Sequence, residues 1–206
     1  MIRQFVHPND PVLQKVAEIV PPDELNSSRN REYIEEMIGT AYGRRKNRDK
    51  PTVVGLAAPQ IGISRRIIAV DTGADGVGGL SELKVYINPE ITWSSKETEE
   101  WCEGCWSTGR VAGVVSRPKK IKIKAYSPQG DLIEEEHEGY VARIFQHEVD
   151  HLNGIEFVNH IKNPKKLHWV EIEQWSEYKN HGGWRTWQNL CPREKWEEIK
   201  GISQNE

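Results

Sequence analysis

The sequence has little cysteine: three residues in 206, an odd number. That is too few for a disulfide framework. It points to a reducing compartment, the cytoplasm, where a special cysteine serves chemistry. Long apolar runs are also missing. None approaches the roughly 18–20 residues of a membrane-spanning helix, so no membrane association is expected. The first residues, MIRQFVHPNDP, lack an apolar stretch after a basic one, and no secretory signal is expected. Neither sign of charge is in excess, since 28 Lys and Arg against 31 Asp and Glu leave a net charge of −3. Overall charge therefore offers no means of binding nucleic acid, and no specific DNA partner is expected. Internal repeats and low-complexity tracts are absent. The length suits one domain with an appendage and can bury a real core.

Tryptophan is abundant, with 8 residues, and Trp169, Trp175, Trp184, Trp187 and Trp196 crowd the C-terminal end. Two helices are expected near the start. One covers Val12–Val20, closed by Pro21-Pro22. The other opens at Ser27 or Ser28 as N-cap and buries Tyr33, Ile34, Met37, Ile38 and Ala41 at helical spacing. It ends in Arg44-Arg45-Lys46-Asn47-Arg48, read as a solvated helix end favoured by the helix dipole, or as a docking point for an acidic or RNA surface. From Pro51 the pattern changes to short β-type runs: Val53–Leu56, Ile67–Val70, Val85–Ile87, Val114–Val115, Ile121–Ala125 and Leu132–Glu136. Ile121–Ala125 alternates with period two, and Ser127-Pro128-Gln129-Gly130-Asp131 supplies turn residues for a hairpin with Leu132–Glu136. The glycine-rich segment 73–79 lacks the Lys-Ser/Thr of a phosphate loop and reads as a connection between strands. A further helix is expected over Tyr140–Leu152, closed by Asn153-Gly154. A short one follows Cys191-Pro192. This order predicts an α+β fold of mostly antiparallel strands around a central metal-binding helix, with an N-terminal helical region. It divides into a catalytic part, 1–162, and a Trp-rich extension, 163–206. The tryptophans of the extension serve either as a lid on the catalytic part or as a contact for a second subunit or another partner.

The strongest chemical signal is His147-Glu148-Val149-Asp150-His151. Positions i and i+4 share one helix face, so two imidazoles can bind one ion, with Glu148 close enough to hold a water there. A catalytic site needs a third protein ligand and an open position. The long HExxH form would put that ligand at Phe157, which cannot ligate. Glu171 lies in a tail with no packing pattern. Cys105 is the better candidate, because one sulfur and two nitrogens suit Zn(II) or Fe(II). Trp101-Cys102-Glu103-Gly104-Cys105 is also similar to the thioredoxin active-site segment. That chemistry needs a helix starting at the first Cys, whereas Gly104, Gly109, Gly113 and several valines follow.

Three segments in order resemble the peptide deformylases. Val54-Gly55-Leu56-Ala57-Ala58-Pro59-Gln60 is similar to their first motif, Glu103-Gly104-Cys105-Trp106-Ser107 to the second, and Gln146-His147-Glu148-Val149-Asp150-His151 to the third. The resemblance spans roughly residues 1–160. It implies a hydrolase that removes the N-formyl group from N-terminal formylmethionine of new polypeptides and releases formate. Cys105, His147 and His151 would hold a divalent metal, Fe(II) in the cell, with Zn(II), Ni(II) or Co(II) admitted by the ligand types. Glu148 would move protons. The Gln60 amide and the Trp106 backbone N–H would stabilise the oxyanion. Val54, Gly55, Glu103, Gly104 and Ile144 would line the peptide groove. The implied partners are N-formylated nascent peptides and the ribosome. Three positions depart from the pattern. Val53 stands where the family has Gly, Trp106 where it has Leu, and Gly109 where Pro is common. A different HExxH metallopeptidase and a non-catalytic metal-binding interaction protein are the alternatives that these motifs leave.

Overall fold

The computed structural model describes residues 2–45 and 52–202. The second expected helix forms as α1, Ser28–Arg45, and the Ser27 hydroxyl accepts the Asn30 N–H as its cap. The basic stretch begins with the last two residues of α1, Arg44 and Arg45, and continues outside the described residues. The expected helix over Val12–Val20 does not form. A single 3-10 turn spans Pro11–Gln14, capped by the Asp10 carboxylate, and Lys15 is already extended. The backbone beyond it is taken up by distant partners: Ala17 N–H donates to the Leu152 carbonyl, and Glu18 N–H to that of Ser64. Val20 N–H donates to the Asn88 side chain. These bonds replace a helical ladder, and they leave the β-branched Val16 and Ile19 exposed.

Among the described residues, eight strands follow: β1 Gly55–Ala57, β2 Ile67–Asp71, β3 Leu83–Ser94, β4 Thr98–Gly104, β5 Val111–Pro118, β6 Lys120–Tyr126, β7 Leu132–Glu138 and, later in the chain, β8 Leu167–Trp169. Two antiparallel sheets result, ordered β1-β2-β3-β6-β7 and β4-β5-β8. The expected hairpin is β6–β7, in register from Lys120↔Glu138 to Tyr126↔Leu132. Residues 73–79 connect β2 and β3, as expected for a linker. The strands β4 and β8 were not expected from the pattern.

The helix α2, Gly139–Leu152, packs on the larger sheet. Its Ala142, Ile144, Phe145, Val149 and Leu152 meet Ile68, Val70, Tyr86, Ile121 and Ile123. The alternate residues Ile67, Ala69 and Ile87 face Met37 and Ala41 of α1. The first strands of this sheet are therefore buried on both sides, which explains why β2 is buried throughout and apolar up to its last residue, Asp71. At the end of α2, Gly154 has φ +70 and sits so close to Gln14 that a Cβ would lie 2.7 Å from its backbone.

The C-terminal segment adds α3, Trp175–Lys179, and α4, Arg193–Ile199. It covers both faces of the smaller sheet. Leu167, Cys191 and Trp196 pack with Val111 and Val115, whereas Tyr178 and Trp184 pack with Cys102, Ala112 and Val114. Lys200 is buried and pairs with Glu156 at 2.7 Å. No helix among the described residues is long and apolar enough to cross a membrane.

Candidate metal centre

The centre lies where β1, β4 and α2 converge. Both strands are sheet edges. Beyond β4, Cys105 keeps an extended backbone and opens the 3-10 turn Trp106–Thr108. Its side chain reaches the two histidines of α2. One ligand atom from each of Cys105, His147 and His151 can be chosen so that all lie within 4.8 Å of one another. Cys105 Sγ is 3.3 Å from His151 Nε2. The two imidazole rings are 5.0 Å apart and steeply inclined, as the one-turn spacing requires.

Burial and charge prepare each ligand differently. His147 Nδ1 is 2.9 Å from Glu103 Oε2, which leaves Nε2 free to coordinate. Burial disfavours the His147 imidazolium, but hydrogen bonds to Cys105 and Glu103 outweigh it and hold its pKa well above the ordinary value. A cation would compete with that proton. For His151, burial followed by repulsion from His147 pushes the pKa well below the ordinary value. Its imidazole is therefore held in the neutral form, the form in which a histidine can bind a metal. Its Nδ1 is buried without a hydrogen-bond partner.

Glu103 is buried beneath the site. Arg117 grips its carboxylate with two bonds, 2.7 and 2.9 Å, and Arg143 adds a third at 2.6 Å. Burial raises the Glu103 pKa, but the opposing pull of Arg117 is stronger and holds it well below the usual carboxylate range. Arg117 also pairs with Asp150 at 2.7 Å, which receives His160 at 2.8 Å. The sequence pattern did not single out Arg117, Arg143 or His160. Isolated arginines on a strand and a helix read as surface charge until the fold points them inward.

Glu148 presents the opposite case. Its Oε2 is buried and has no hydrogen-bond partner. Burial pushes its pKa up to about 7, against the attraction of His147. A carboxyl group with that poise suits proton transfer near neutral pH. Gly55 makes room for it: a Cβ there would lie 2.4 Å from Glu148 Oε1 and 2.7 Å from Ile144 Cγ2. Gln60 completes the inner ring. Its Oε1 accepts the Ala57 N–H at 2.6 Å, so Nε2 points to Cys105 Sγ at 3.0 Å.

The remaining candidates lie nearby. Val54 packs beside the α2 core. The Glu103 carboxylate belongs to the arginine cluster and meets His147. Trp106 stacks on Phe5 at 5.6 Å. Val53 is buried and has no positive φ, whereas Gly109 has φ +65, a conformation closed to the proline common there. Phe157 stacks on His147, and Glu171 pairs with Arg110. Cys102 sits inside β4 rather than at a helix start, and burial pushes its thiol up to about 12. The redox alternative thus lacks its helix.

The donor set and the unpartnered atoms fit a divalent ion. Comparison with known proteins gives a consistent result. The family model described as polypeptide deformylase matches residues 2–167. A peptide deformylase of Thermotoga neapolitana is 42% identical over 158 residues, 77% of this chain and 86% of that protein. Among solved structures, the peptide deformylase of Thermotoga maritima superposes with a TM-score of 0.67 at 39% identity, covering 79% of this chain and 99% of that one. A Met-Ala-Ser-bound class I type b peptide deformylase of Acinetobacter baumannii gives 0.70 at 35% identity, covering 78% and 99%.

Proposed function

The chain belongs to the peptide deformylase family, metal-dependent hydrolases that release formate from N-formylated peptides, and from that premise we propose that Cys105, His147 and His151 hold its metal while Glu148 moves the protons. When bound, the ion supplies a Lewis acid that activates water and polarises the formyl carbonyl. Glu148 takes the proton from the attacking water and passes it to the departing amine nitrogen. The C–N bond breaks, leaving formate and a free peptide N-terminus. The second Gln60 amide hydrogen and the Trp106 backbone N–H donate to the oxygen where negative charge grows. One such donor is worth roughly 10²–10³-fold in rate. Arg117, through Glu103, fixes the imidazole of His147.

The substrate lies as an extra strand between the free edges of β1 and β4. Val54 and Gly55 border it on one side and the backbone of Glu103 and Gly104 on the other, with Ile144 below. The single observation that carries the assignment of roles is the buried Glu148 carboxyl, whose Oε2 has no hydrogen-bond partner, beside three converging ligand atoms. The ligand types favour Fe(II) as the cellular metal, with Zn(II), Ni(II) or Co(II) as substitutes. All three cysteines are free, consistent with action in the cytoplasm, where nascent chains leave the ribosome. Residues 163–206 act as an extension of the catalytic part, 1–162.

The test is formate release from a formyl-Met dipeptide by Fe(II)-loaded protein under anaerobic conditions. Glu148→Ala is expected to retain the metal and lose turnover. Full activity in that variant would refute the proton-transfer role.

A further inference from the structure

Most of the C-terminal segment, beyond residue 167, falls outside the family match, yet one of its side chains reaches the end of β4. Trp175, the first residue of α3, lies against Gly104. A Cβ built on Gly104 would be 2.3 Å from Trp175 Cη2 and 2.8 Å from Cζ3. The indole therefore occupies the space that a side chain at position 104 would fill. Gly104 lies one residue from Cys105 in sequence, and the indole sits on the face of β4 away from Cys105, His147 and His151. Cys102, on this same face, packs with Tyr178 and Trp184, whereas Glu103 points the other way to His147.

The indole is firmly held. Trp175 packs on Tyr178 at 5.6 Å. Tyr178 is fully buried, and its hydroxyl meets His168 Nδ1 at 2.9 Å. Trp187 abuts the same ring edge-on at 5.2 Å. At the far end of α3, Lys179 donates to the Tyr140 hydroxyl at 3.2 Å, which ties the helix to the first turn of α2. Trp175 itself is only half-buried, so part of its face remains open.

We propose that Trp175 is a specificity-determining residue, an aromatic wall that receives the second side chain of the formylated peptide. The inference rests on the functional reading above. A strand added to the free edge of β4 alternates its side chains, and residues opposite each other project to the same face. With the formyl group at the metal and the methionine beside Cys105, the methionine side chain projects to the ligand face. The next residue falls opposite Gly104 and projects to the other face. Glycine leaves that face bare, and the indole covers it. A large apolar or aromatic side chain there gains a flat apolar surface that a small one cannot use.

The test compares kcat and KM for formyl-Met-Ala and formyl-Met-Phe peptides in the full-length, metal-loaded protein. The wild type should favour the Phe peptide through a lower KM. Trp175→Leu preserves apolar bulk and should reduce the Phe/Ala ratio of kcat/KM by roughly 3- to 10-fold, the reach of one aromatic contact, with the change in KM. Trp175→Phe should restore most of the preference. A Phe/Ala ratio unchanged in Trp175→Leu would overturn this inference while leaving the deformylase reading intact. Failure of the wild type to deformylate either peptide would instead overturn the reading on which it rests.

Discussion

At Gly55 the centre depends on a missing side chain. A methyl group would fall 2.4 Å from Glu148 Oε1, so Gly55→Ala must displace either β1 or the carboxylate. Turnover should fall about 10²-fold with metal content unchanged, because a shift near 1 Å in a catalytic group costs that much. Steady-state kinetics beside metal analysis would check it. The family resemblance assigns Gly55 to the peptide groove without supplying this reason, which appears only once α2 lies against β1. Cys102 and Cys105 diverge in the same way. Three residues apart and alike in the sequence, they sit on opposite faces of one strand and its continuation. Burial pushes the Cys102 thiol up to about 12, so it should resist iodoacetamide at neutral pH in the folded protein. Rapid native labelling of Cys102, read by mass spectrometry, would contradict that burial.

Among the elements, α2 was legible because two signals coincide on it. Its apolar residues repeat at helical spacing, and its histidines stand one turn apart. The β6–β7 hairpin was legible from strict alternation around a turn. The strand β4 was not, since three of its seven residues are glutamates. It exists because it pairs with β5 along its whole length and because Arg117 and Arg143 neutralise Glu103. Likewise, Val12–Val20 carries helix-like spacing, but its backbone bonds to Leu152, Ser64 and Asn88 instead. Removing one partner from a buried ion cluster costs about 3–5 kcal/mol. Arg117→Ala should therefore lower unfolding free energy by that amount in a denaturant titration. A loss below 1 kcal/mol would mean that Arg143 alone suffices to hold Glu103.

Across the whole molecule, the C-terminal segment completes a sheet that the first 162 residues leave uncovered. Its tryptophans divide the task. Trp196 closes one face of β5 and Trp184 the other, while Trp175 lies against Gly104. Composition alone left both a lid and a partner surface open, because burial of a tryptophan depends on which sheet face it meets. Trp196→Ala should cost about 3–5 kcal/mol, as expected for deleting a buried indole, and a melting curve would register it. The central claim concerns the shared ion. It is tested most directly by measuring bound metal and formate release on the same anaerobic, Fe(II)-loaded preparations of wild type and Cys105→Ala. The wild type should hold a single ion through mild chelation and release formate from formyl-Met peptides, and the variant should lose both. A Cys105→Ala protein that kept its ion and its turnover would contradict a centre built from that sulfur and the histidine pair.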